Sequence, residues 1–220
     1  MRISTGIQGL DQILRGGFLP ARVYLVHGEP GTGKTTFGLH FLAAGSGARE
    51  KSLLITFGET EHNIRTDAKT VGLNIDGVSI LDLTPTAETF AEIQSYDIFS
   101  PSEVEREPMT LEIVKAIQQN DPRRIFVDGF SQFRQLATDP FHHQRLVQSF
   151  FRFATQHGAT LLVACDEKES VRDVDGVVQL AFGPEGRSIS VAKFRGSDFR
   201  PGLHPMRISS QGIQIPNSAA

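Results

Sequence analysis

The chain has 220 residues, and its 39% hydrophobic content is enough to bury the core of one large domain. A formal net charge of -3 gives no overall attraction to a nucleic-acid backbone, which disfavours generic binding to nucleic acids. The single cysteine, Cys165, excludes an internal disulfide bond, and no apolar run approaches the roughly 20 residues that span a membrane.

Short apolar runs alternate with longer amphipathic runs along most of the chain, as strands and crossover helices do in a mainly parallel sheet. The predicted fold class is therefore α/β, with helices flanking a mainly parallel central sheet. The last parallel strand is rich in β-branched and apolar residues and ends at Cys165, so we expect it to be central and to bury the thiol. The predicted parallel strands are 23–27, 53–57, 78–83, 125–128 and 160–165.

Helices are predicted at 35–44, from about Met109 onward, and at about 144–157. The polar stretch 93–108 contains two prolines, so it is predicted to be an irregular surface segment. Beyond residue 175 the pattern changes. Runs at 176–182 and 188–194 flank a Gly-Pro-Glu-Gly turn and predict an antiparallel hairpin that closes the sheet.

We expect one domain over 1–215 and a disordered tail at 216–220. Because no signal-peptide segment begins the chain, we also expect a cytoplasmic protein.

A phosphate-binding loop, or P-loop, is the strongest functional signal. Two glycines separated by four residues are followed by Lys34 and Thr35, between a predicted strand and a predicted helix. Glycines allow backbone N–H groups to turn inward around phosphate oxygens, and the helix N-terminus adds a favourable dipole. Lys34 is expected to contact the β- and γ-phosphates of ATP, and Thr35 to ligate Mg²⁺. The residues predicted to bind the nucleotide are Gly28, Glu29, Pro30, Gly31, Thr32, Gly33, Lys34, Thr35 and Thr36.

Two carboxylates are candidates for the chemistry of hydrolysis. Asp128 lies at the carboxyl end of a predicted strand, which is where ligands bind in such sheets, so it is predicted to hold Mg²⁺ through water. The alternative is an aspartate that only forms a turn. Glu59 ends the second predicted strand and could polarise the attacking water; the alternative is a solvated loop carboxylate. The predicted catalytic residues within one subunit are thus Lys34, Glu59 and Asp128. The adjacent His142 and His143 point to different helix faces, so we expect no metal ion other than Mg²⁺.

These residues accompany further motifs that resemble a single KaiC domain of the RecA-like P-loop NTPases, and the resemblance covers nearly the whole chain. It implies a RecA-like fold and an ATPase activity. The Gly-Glu-Thr after Phe57 is similar to a Glu-Glu-Thr in the family. The motifs are Ser4-Thr5-Gly6-Ile7-Gln8-Gly9-Leu10-Asp11, Arg15-Gly16-Gly17, Phe57-Gly58-Glu59-Thr60, Lys193-Phe194-Arg195-Gly196-Ser197 and Gly212-Ile213-Gln214-Ile215.

The resemblance also implies a homo-oligomeric ring, expected to be a hexamer, in which Lys193 and Arg195 contact the ATP of a neighbouring subunit and act as catalytic residues there. Residues two apart on a strand share a face, which suits a paired basic clamp. The alternative is a pair of exposed basic residues on an edge strand.

Two departures from the family pattern bear on activity. Gly58 stands where the family has the first of two adjacent glutamates, which is its better candidate for the water-activating base, so slow hydrolysis is expected. The stretch 169–175 lacks the adjacent Ser and Thr that the clock protein phosphorylates on itself, so no such autokinase activity is expected.

Two other functions compete with a slow ATPase. An ATP-gated assembly or signalling scaffold with negligible turnover would tolerate Gly58, and it leaves room for an unidentified regulatory protein partner. A RecA-like DNA recombination factor ranks third. Its loop at 166–176 carries five acids and two bases, and its loop at 129–141 offers aromatic rings at Phe130, Phe133 and Phe141 but only Arg134 as a basic residue. We therefore expect neither nucleic-acid nor membrane binding.

Overall fold

The computed structural model describes residues 2–85, 101–137, 139–166 and 173–216. The helices are α1 (Gln8–Ile13), α2 (Lys34–Gly47), α3 (Glu61–Thr70), α4 (Pro101–Asn120) and α5 (Pro140–Gln156), with a 3-10 helix at Phe130–Leu136. The strands are β1 (Val23–His27), β2 (Ser52–Thr56), β3 (Val78–Asp82), β4 (Arg124–Asp128), β5 (Thr160–Cys165), β6 (Gly176–Gly183), β7 (Gly186–Phe194), β8 (His204–Ser209) and β9 (Gly212–Gln214). Among these helices, none combines the length and apolar character that crossing a bilayer requires.

The described strands form one sheet in the order β3-β2-β4-β5-β1-β6-β7-β8-β9. Pairing is parallel from β3 through β6 and antiparallel from β6 to β9. The predicted α/β fold with a C-terminal antiparallel hairpin is confirmed. The central position of β5 is confirmed as well, because it lies between β4 and β1 with all six of its residues buried, Cys165 included.

The hydrophobic core has two parts, one on each face of the sheet. Alternate residues of a strand point to opposite faces, so Tyr24 and Val26 pack on one side and Val23 and Leu25 on the other. Helices α1, α2 and α3 cover the first face, and α4, the 3-10 helix and α5 cover the second. The carboxyl ends of the parallel strands remain uncovered by these layers, which is where ligands gather in such sheets.

Two sequence predictions are corrected by the structure. The segment predicted to be irregular up to residue 108 is helical from Pro101 onward, so α4 begins about two turns before the predicted start near Met109. Pro101 lies in the first turn of the helix, where the missing N–H of proline has no partner to lose, but Pro108 lies inside the helix, where proline is normally disfavoured. The hairpin of β6 and β7 does not close the sheet, since β8 and β9 extend it. Residues 93–100, and residues 217–220 of the tail predicted at 216–220, lie outside the described ranges.

The N-terminal motif is held by one carboxylate. Asp11 on α1 accepts hydrogen bonds from Ser4 Oγ at 2.6 Å, from Thr5 N at 2.8 Å and from Thr5 Oγ1 at 2.6 Å. The buried Arg124 of β4 donates to the carbonyl oxygen of Ser4 at 2.6 Å and pairs with Glu50 at 2.6 Å. The segment before α1 is thereby attached to the amino end of the central sheet.

A buried histidine links the two ends of the chain. His40 lies on α2 with Nδ1 3.2 Å from the carbonyl oxygen of Gly6, and its Nε2 accepts the N–H of Ile213 on β9 at 2.7 Å. These partners require the neutral ring with the proton on Nδ1, and burial lowers the pKa of His40 from its ordinary value of 6.5. Gly212, at φ +76°, allows the close approach, because a Cβ there would lie 2.2 Å from Nε2.

His40 is expected to make folding sensitive to acid. Because the folded pKa is lowered, its contribution to stability is present above about pH 6.5 and is lost as the pH falls below that value, where the unfolded chain takes up the proton first. Urea unfolding between about pH 5 and pH 8 should show a free energy of unfolding that falls toward acid. His40→Gln should flatten this slope by up to about 1.4 kcal/mol per pH unit.

The matched control is His62→Gln, which removes an exposed histidine of α3 and should leave the slope as in the wild type. Equal slopes for the wild type and His40→Gln would contradict the role assigned to His40.

Candidate functional site

The predicted P-loop follows the carboxyl end of β1 and leads directly into α2, as the sequence predicted. Thr32 is fully buried, and its Oγ1 donates to the carbonyl oxygen of Glu29 at 2.7 Å, which closes the loop. Gly33 caps α2 at φ +107°, and a Cβ there would lie 2.4 Å from Ile208 Cδ1, so this position requires glycine. The first turn of α2, which includes Thr36, carries no acidic residue to oppose an anion.

Lys34 lies at the start of α2 and folds back over the loop. Its Nζ donates to the carbonyl oxygens of Gly28 at 2.8 Å and Glu29 at 2.9 Å, and it forms an ion pair with Asp166 Oδ1 at 2.6 Å. Glu29, like Pro30 and Gly31, is exposed on the outer side of the loop. The positive charge is therefore located at the mouth of the loop.

The structure brings Thr35 and Asp128 together. The Thr35 hydroxyl hydrogen-bonds to the carboxylate of Asp128, which also accepts the N–H of Gly129 at 3.1 Å. Burial raises the pKa of Asp128 above its ordinary value, although these hydrogen bonds and the charge of Lys34 oppose the rise. A cation bound beside Asp128 would favour the ionised carboxylate.

The same pair of side chains fits Mg²⁺. Magnesium prefers oxygen ligands and is commonly held by one or two carboxylates together with water and phosphate oxygens. A hydroxyl and a partly buried carboxylate in hydrogen-bonding contact supply such oxygens at one point. Among the described residues, no cluster of three or more His, Cys, Asp or Glu side chains could hold another metal ion.

Glu59 lies in the turn after β2, the strand paired with β4. The Thr56 hydroxyl holds this turn, since it donates to the carbonyl oxygen of Glu59 at 2.8 Å and accepts the N–H of Glu59 at 3.2 Å. Burial raises the pKa of Glu59, and the negative charges of Asp128 and Asp67 raise it further. A raised pKa makes a carboxylate a stronger base, which suits the predicted role of accepting a proton from water.

Gly58 leaves an open position beside Glu59. A Cβ at Gly58 would have Gln132 Nε2 of the 3-10 helix as its nearest neighbour, at 3.7 Å, which is ordinary van der Waals distance. The backbone of Gly58 is not in the left-handed region. A glutamate would therefore fit here without steric conflict.

Arg195 lies near the amino ends of the central strands, opposite the P-loop, and Lys193 lies level with the middle of β1. Lys193 pairs with Val177 near the amino end of β6, and Arg195, the first residue after β7, donates its N–H to the carbonyl oxygen of Asp175 at 2.7 Å. The P-loop follows the carboxyl end of β1, a five-residue strand parallel to β6, so the backbone of Arg195 is roughly 15–20 Å from the start of the loop and the backbone of Lys193 is nearer. Buried Phe194 separates half-buried Lys193 from exposed Arg195.

Two site residues were missed in the sequence. Arg187 of β7 donates from Nε and Nη2 to the carbonyl oxygen of Gly31, at 3.3 and 3.1 Å, while its guanidinium lies 4.6 Å from the centre of the Phe182 ring. Asp166 pairs with Lys34. Asp166 could have been found, because it follows a strand whose carboxyl end adjoins the P-loop, whereas nothing in the sequence around Arg187 indicates its contact.

The aromatic residues considered for DNA binding are mostly unavailable for stacking. Phe130 and Phe133 belong to the 3-10 helix and are only 4% and 2% exposed, with their rings stacked on each other in the core. The sequence left stacking possible on all three rings, but of the three only Phe141, at 69% exposure, is accessible. Residues 167–172, which include most of the acidic loop and part of the stretch considered for autophosphorylation, lie outside the described ranges.

Comparison with known proteins agrees with this geometry. The family profile described as "ATPase: KaiC" matches residues 3–220. The chain belongs to the KaiC ATPase family. The resemblance first drawn from the N-terminal, P-loop and Lys193-to-Ser197 motifs is thereby confirmed, and with it the RecA-like fold.

Individual relatives within the KaiC family are of two lengths. A protein named UPF0273 from Thermotoga maritima is 27% identical, over 97% of this chain and 95% of its own length. The circadian clock oscillator protein KaiC of Synechococcus elongatus is 30% identical over 97% of this chain but only 44% of its own length, and that of Parasynechococcus marenigrum is 27% identical over similar shares. The chain thus spans less than half of the clock proteins and nearly all of the UPF0273 relative.

Proposed function

We propose that this chain binds MgATP in the loop formed by residues 28–35 and hydrolyses it slowly, as a cytoplasmic, ring-forming ATPase whose sites are shared between subunits. The observation that carries the proposal is the contact between Thr35 and Asp128 beside the ammonium group of Lys34. A cation, a hydroxyl and a carboxylate at the N-terminus of one helix are the groups that a magnesium-bound triphosphate requires.

Binding would use the backbone first. The N–H groups of the loop and of the first turn of α2 cradle the phosphates, and the dipole of this 14-residue helix adds positive potential. Lys34 contacts the phosphates directly. Thr35 and Asp128 hold Mg²⁺, which neutralises phosphate charge when it is bound.

Hydrolysis would require a base, and Glu59 is the carboxylate that supports this role. Its raised pKa and its position after β2, next to Asp128 on β4, favour acceptance of a proton from the attacking water. The open position at Gly58 lacks the first carboxylate of the family motif, which is why slow turnover is proposed.

A shared site is supported by the distance between Arg195 and the P-loop of the same chain. Arg195 lies beside the amino ends of β1 and β6, far from the loop that follows the carboxyl end of β1, whereas Lys193 lies level with Leu25 in the middle of β1. In a ring, one face of each subunit meets a different face of the next, and a neighbour can supply these charges. The proposed assembly is a homo-oligomeric ring, of six subunits by the family resemblance.

A second function is favoured by Gly58 alone. Without the first glutamate, the chain can bind MgATP and change its assembly with negligible turnover, as a nucleotide-gated scaffold for an unidentified regulatory protein. Both functions share the nucleotide site and differ in whether γ-phosphate is released.

The test is a phosphate-release assay on the purified protein with MgATP, with Asp128→Asn as the first variant. Asparagine keeps the shape of the side chain and loses the charge that holds Mg²⁺. We expect turnover to fall by roughly a hundredfold or more while nucleotide binding, followed by calorimetry, stays within about tenfold of the wild type. Equal turnover in Asp128→Asn would contradict the magnesium role.

Glu59→Gln in the same assay separates the two functions. If Glu59 is the base, its loss lowers turnover by roughly a hundredfold and leaves affinity unchanged. Turnover that is undetectable in the wild type, together with tight MgATP binding, would favour the scaffold.

A further inference from the structure

All three N–H donors of the Lys34 ammonium group have oxygen partners. A lysine carries three N–H donors, and Nζ of Lys34 has three oxygen partners, at 2.8 Å (Gly28), 2.9 Å (Glu29) and 2.6 Å (Asp166). The first two are backbone carbonyl oxygens of the P-loop itself. The third partner, at the shortest distance, is the side-chain carboxylate of Asp166, the residue that follows β5. A phosphate that binds Lys34 must therefore replace one of these three acceptors.

Asp166 is the acceptor that can leave. It is the first residue after β5, which lies between β1 and β4, and its side chain is 54% exposed while that of Lys34 is 11% exposed. Rotation of one aspartate side chain frees the Nζ donor on the side open to solvent. Release of either carbonyl oxygen would instead require the backbone of the loop to move.

The negative charge of Asp166 opposes the binding of phosphate at Lys34, as its contact with the Lys34 ammonium group does. Its carboxylate is close enough to Asp128 to raise the pKa of that residue, so two acids lie near the ammonium group of Lys34. A phosphate group brings negative charge to this point, and the repulsion from Asp166 is largest for the phosphate nearest to Lys34.

We propose that Asp166 competes with the terminal phosphate of the nucleotide for Lys34, and so sets the affinity of the site for triphosphates. The inference rests on the proposed function for the identity of the ligand. An intramolecular carboxylate that mimics one phosphate contact weakens binding without altering the loop. Lys34 then exchanges one charged oxygen partner for another when the triphosphate arrives, so the contact contributes less to affinity than it would without Asp166.

The experiment measures affinity by calorimetry for a non-hydrolysable ATP analogue and for ADP, each with Mg²⁺, in the wild type and in Asp166→Asn. A neutral amide is a weaker acceptor than a carboxylate and does not repel phosphate. We expect the ATP analogue to bind roughly three- to tenfold more tightly to the variant, the range expected for a half-exposed charged pair. ADP, which lacks the γ-phosphate, should gain less.

Two further variants make the result specific. Asp166→Ala removes every acceptor and should tighten binding in the same direction, so the test does not depend on how the asparagine is oriented. Asp76→Asn removes the same charge from an exposed residue just before β3, at the amino ends of the strands, and should leave both affinities unchanged. Urea unfolding of each variant checks that the fold is retained.

The outcomes distinguish this inference from the proposed function. Tighter binding of the ATP analogue in both Asp166 variants, or binding seen only in those variants, supports the competition. Unchanged or weaker binding in variants that fold overturns it, and weaker binding would make Asp166 a ligand of Mg²⁺ instead. If neither the wild type nor any variant binds either nucleotide, the proposed function fails, and the competition fails with it.

Discussion

Lys34→Ala is expected to weaken the binding of MgATP by roughly a hundredfold or more, because the phosphates lose the one cation that the P-loop itself provides. Lys34 is mostly buried against the loop, so solvent screens its charge poorly. Calorimetric titration with MgATP at matched protein concentration measures the loss directly.

The control for this prediction is Lys51→Ala, which removes an exposed lysine just before β2, at the amino ends of the strands. It should bind MgATP as the wild type does. The alanine at position 34 also removes two hydrogen bonds to loop carbonyl oxygens. The free energy of unfolding in urea is therefore compared between Lys34→Ala and the wild type. Affinity within a few-fold of the wild type, in a folded Lys34→Ala protein, would exclude the P-loop assignment.

Much of the fold followed from local sequence patterns. The apolar run that ends at Cys165 predicted a central buried strand, and β5 is one. The Gly-Pro-Glu-Gly sequence predicted the turn between β6 and β7, which now pair from Gly176 to Phe194. Both features depend on residues that are close in sequence, where periodicity and turn chemistry carry the information.

Features that depend on distant contacts were missed. The start of α4 at Pro101 was missed because Pro108 indicated a helix start near Met109, whereas Pro108 lies inside the helix. Strand β8 was not predicted, since its pairing with β7 is a tertiary contact that its own sequence does not specify. The same holds for the contact between Arg187 and Gly31, which are 156 residues apart.

The site was predictable where a motif fixes geometry. Lys34 and Thr35 are ordered by the loop and by the start of α2, so their positions follow from the sequence. The contact of Thr35 with Asp128 required the strand order, which places β4 near the P-loop across β5. Lys193 and Arg195 could be assigned to a neighbouring subunit only by resemblance, and this assignment stays a prediction.

Arg195→Ala is expected to lower turnover by roughly 10³-fold or more if Arg195 contacts the ATP of a neighbouring subunit, because a cation supplied to the leaving γ-phosphoryl group has an effect of that order. Affinity for MgATP should change little in comparison. The exposed Arg152 of α5 offers a matched control, and Arg152→Ala should retain turnover. Turnover in Arg195→Ala close to that of the wild type would contradict a catalytic role for this residue.

Mixing two inactive variants then determines which subunit supplies Arg195. In an equimolar mixture of Lys34→Ala and Arg195→Ala that assembles at random, half of the sites have an intact P-loop and half of their neighbours have an intact Arg195. About a quarter of the interfaces are then complete, and turnover should recover to about a quarter of the wild-type value. An arginine acting within its own subunit predicts no recovery at all, since every chain in the mixture carries one defect.

The roughly 15–20 Å between Arg195 and the P-loop of the same chain favours recovery. If the wild type shows no turnover, light scattering provides the readout, and a protein that stays monomeric with MgATP bound would exclude the shared site.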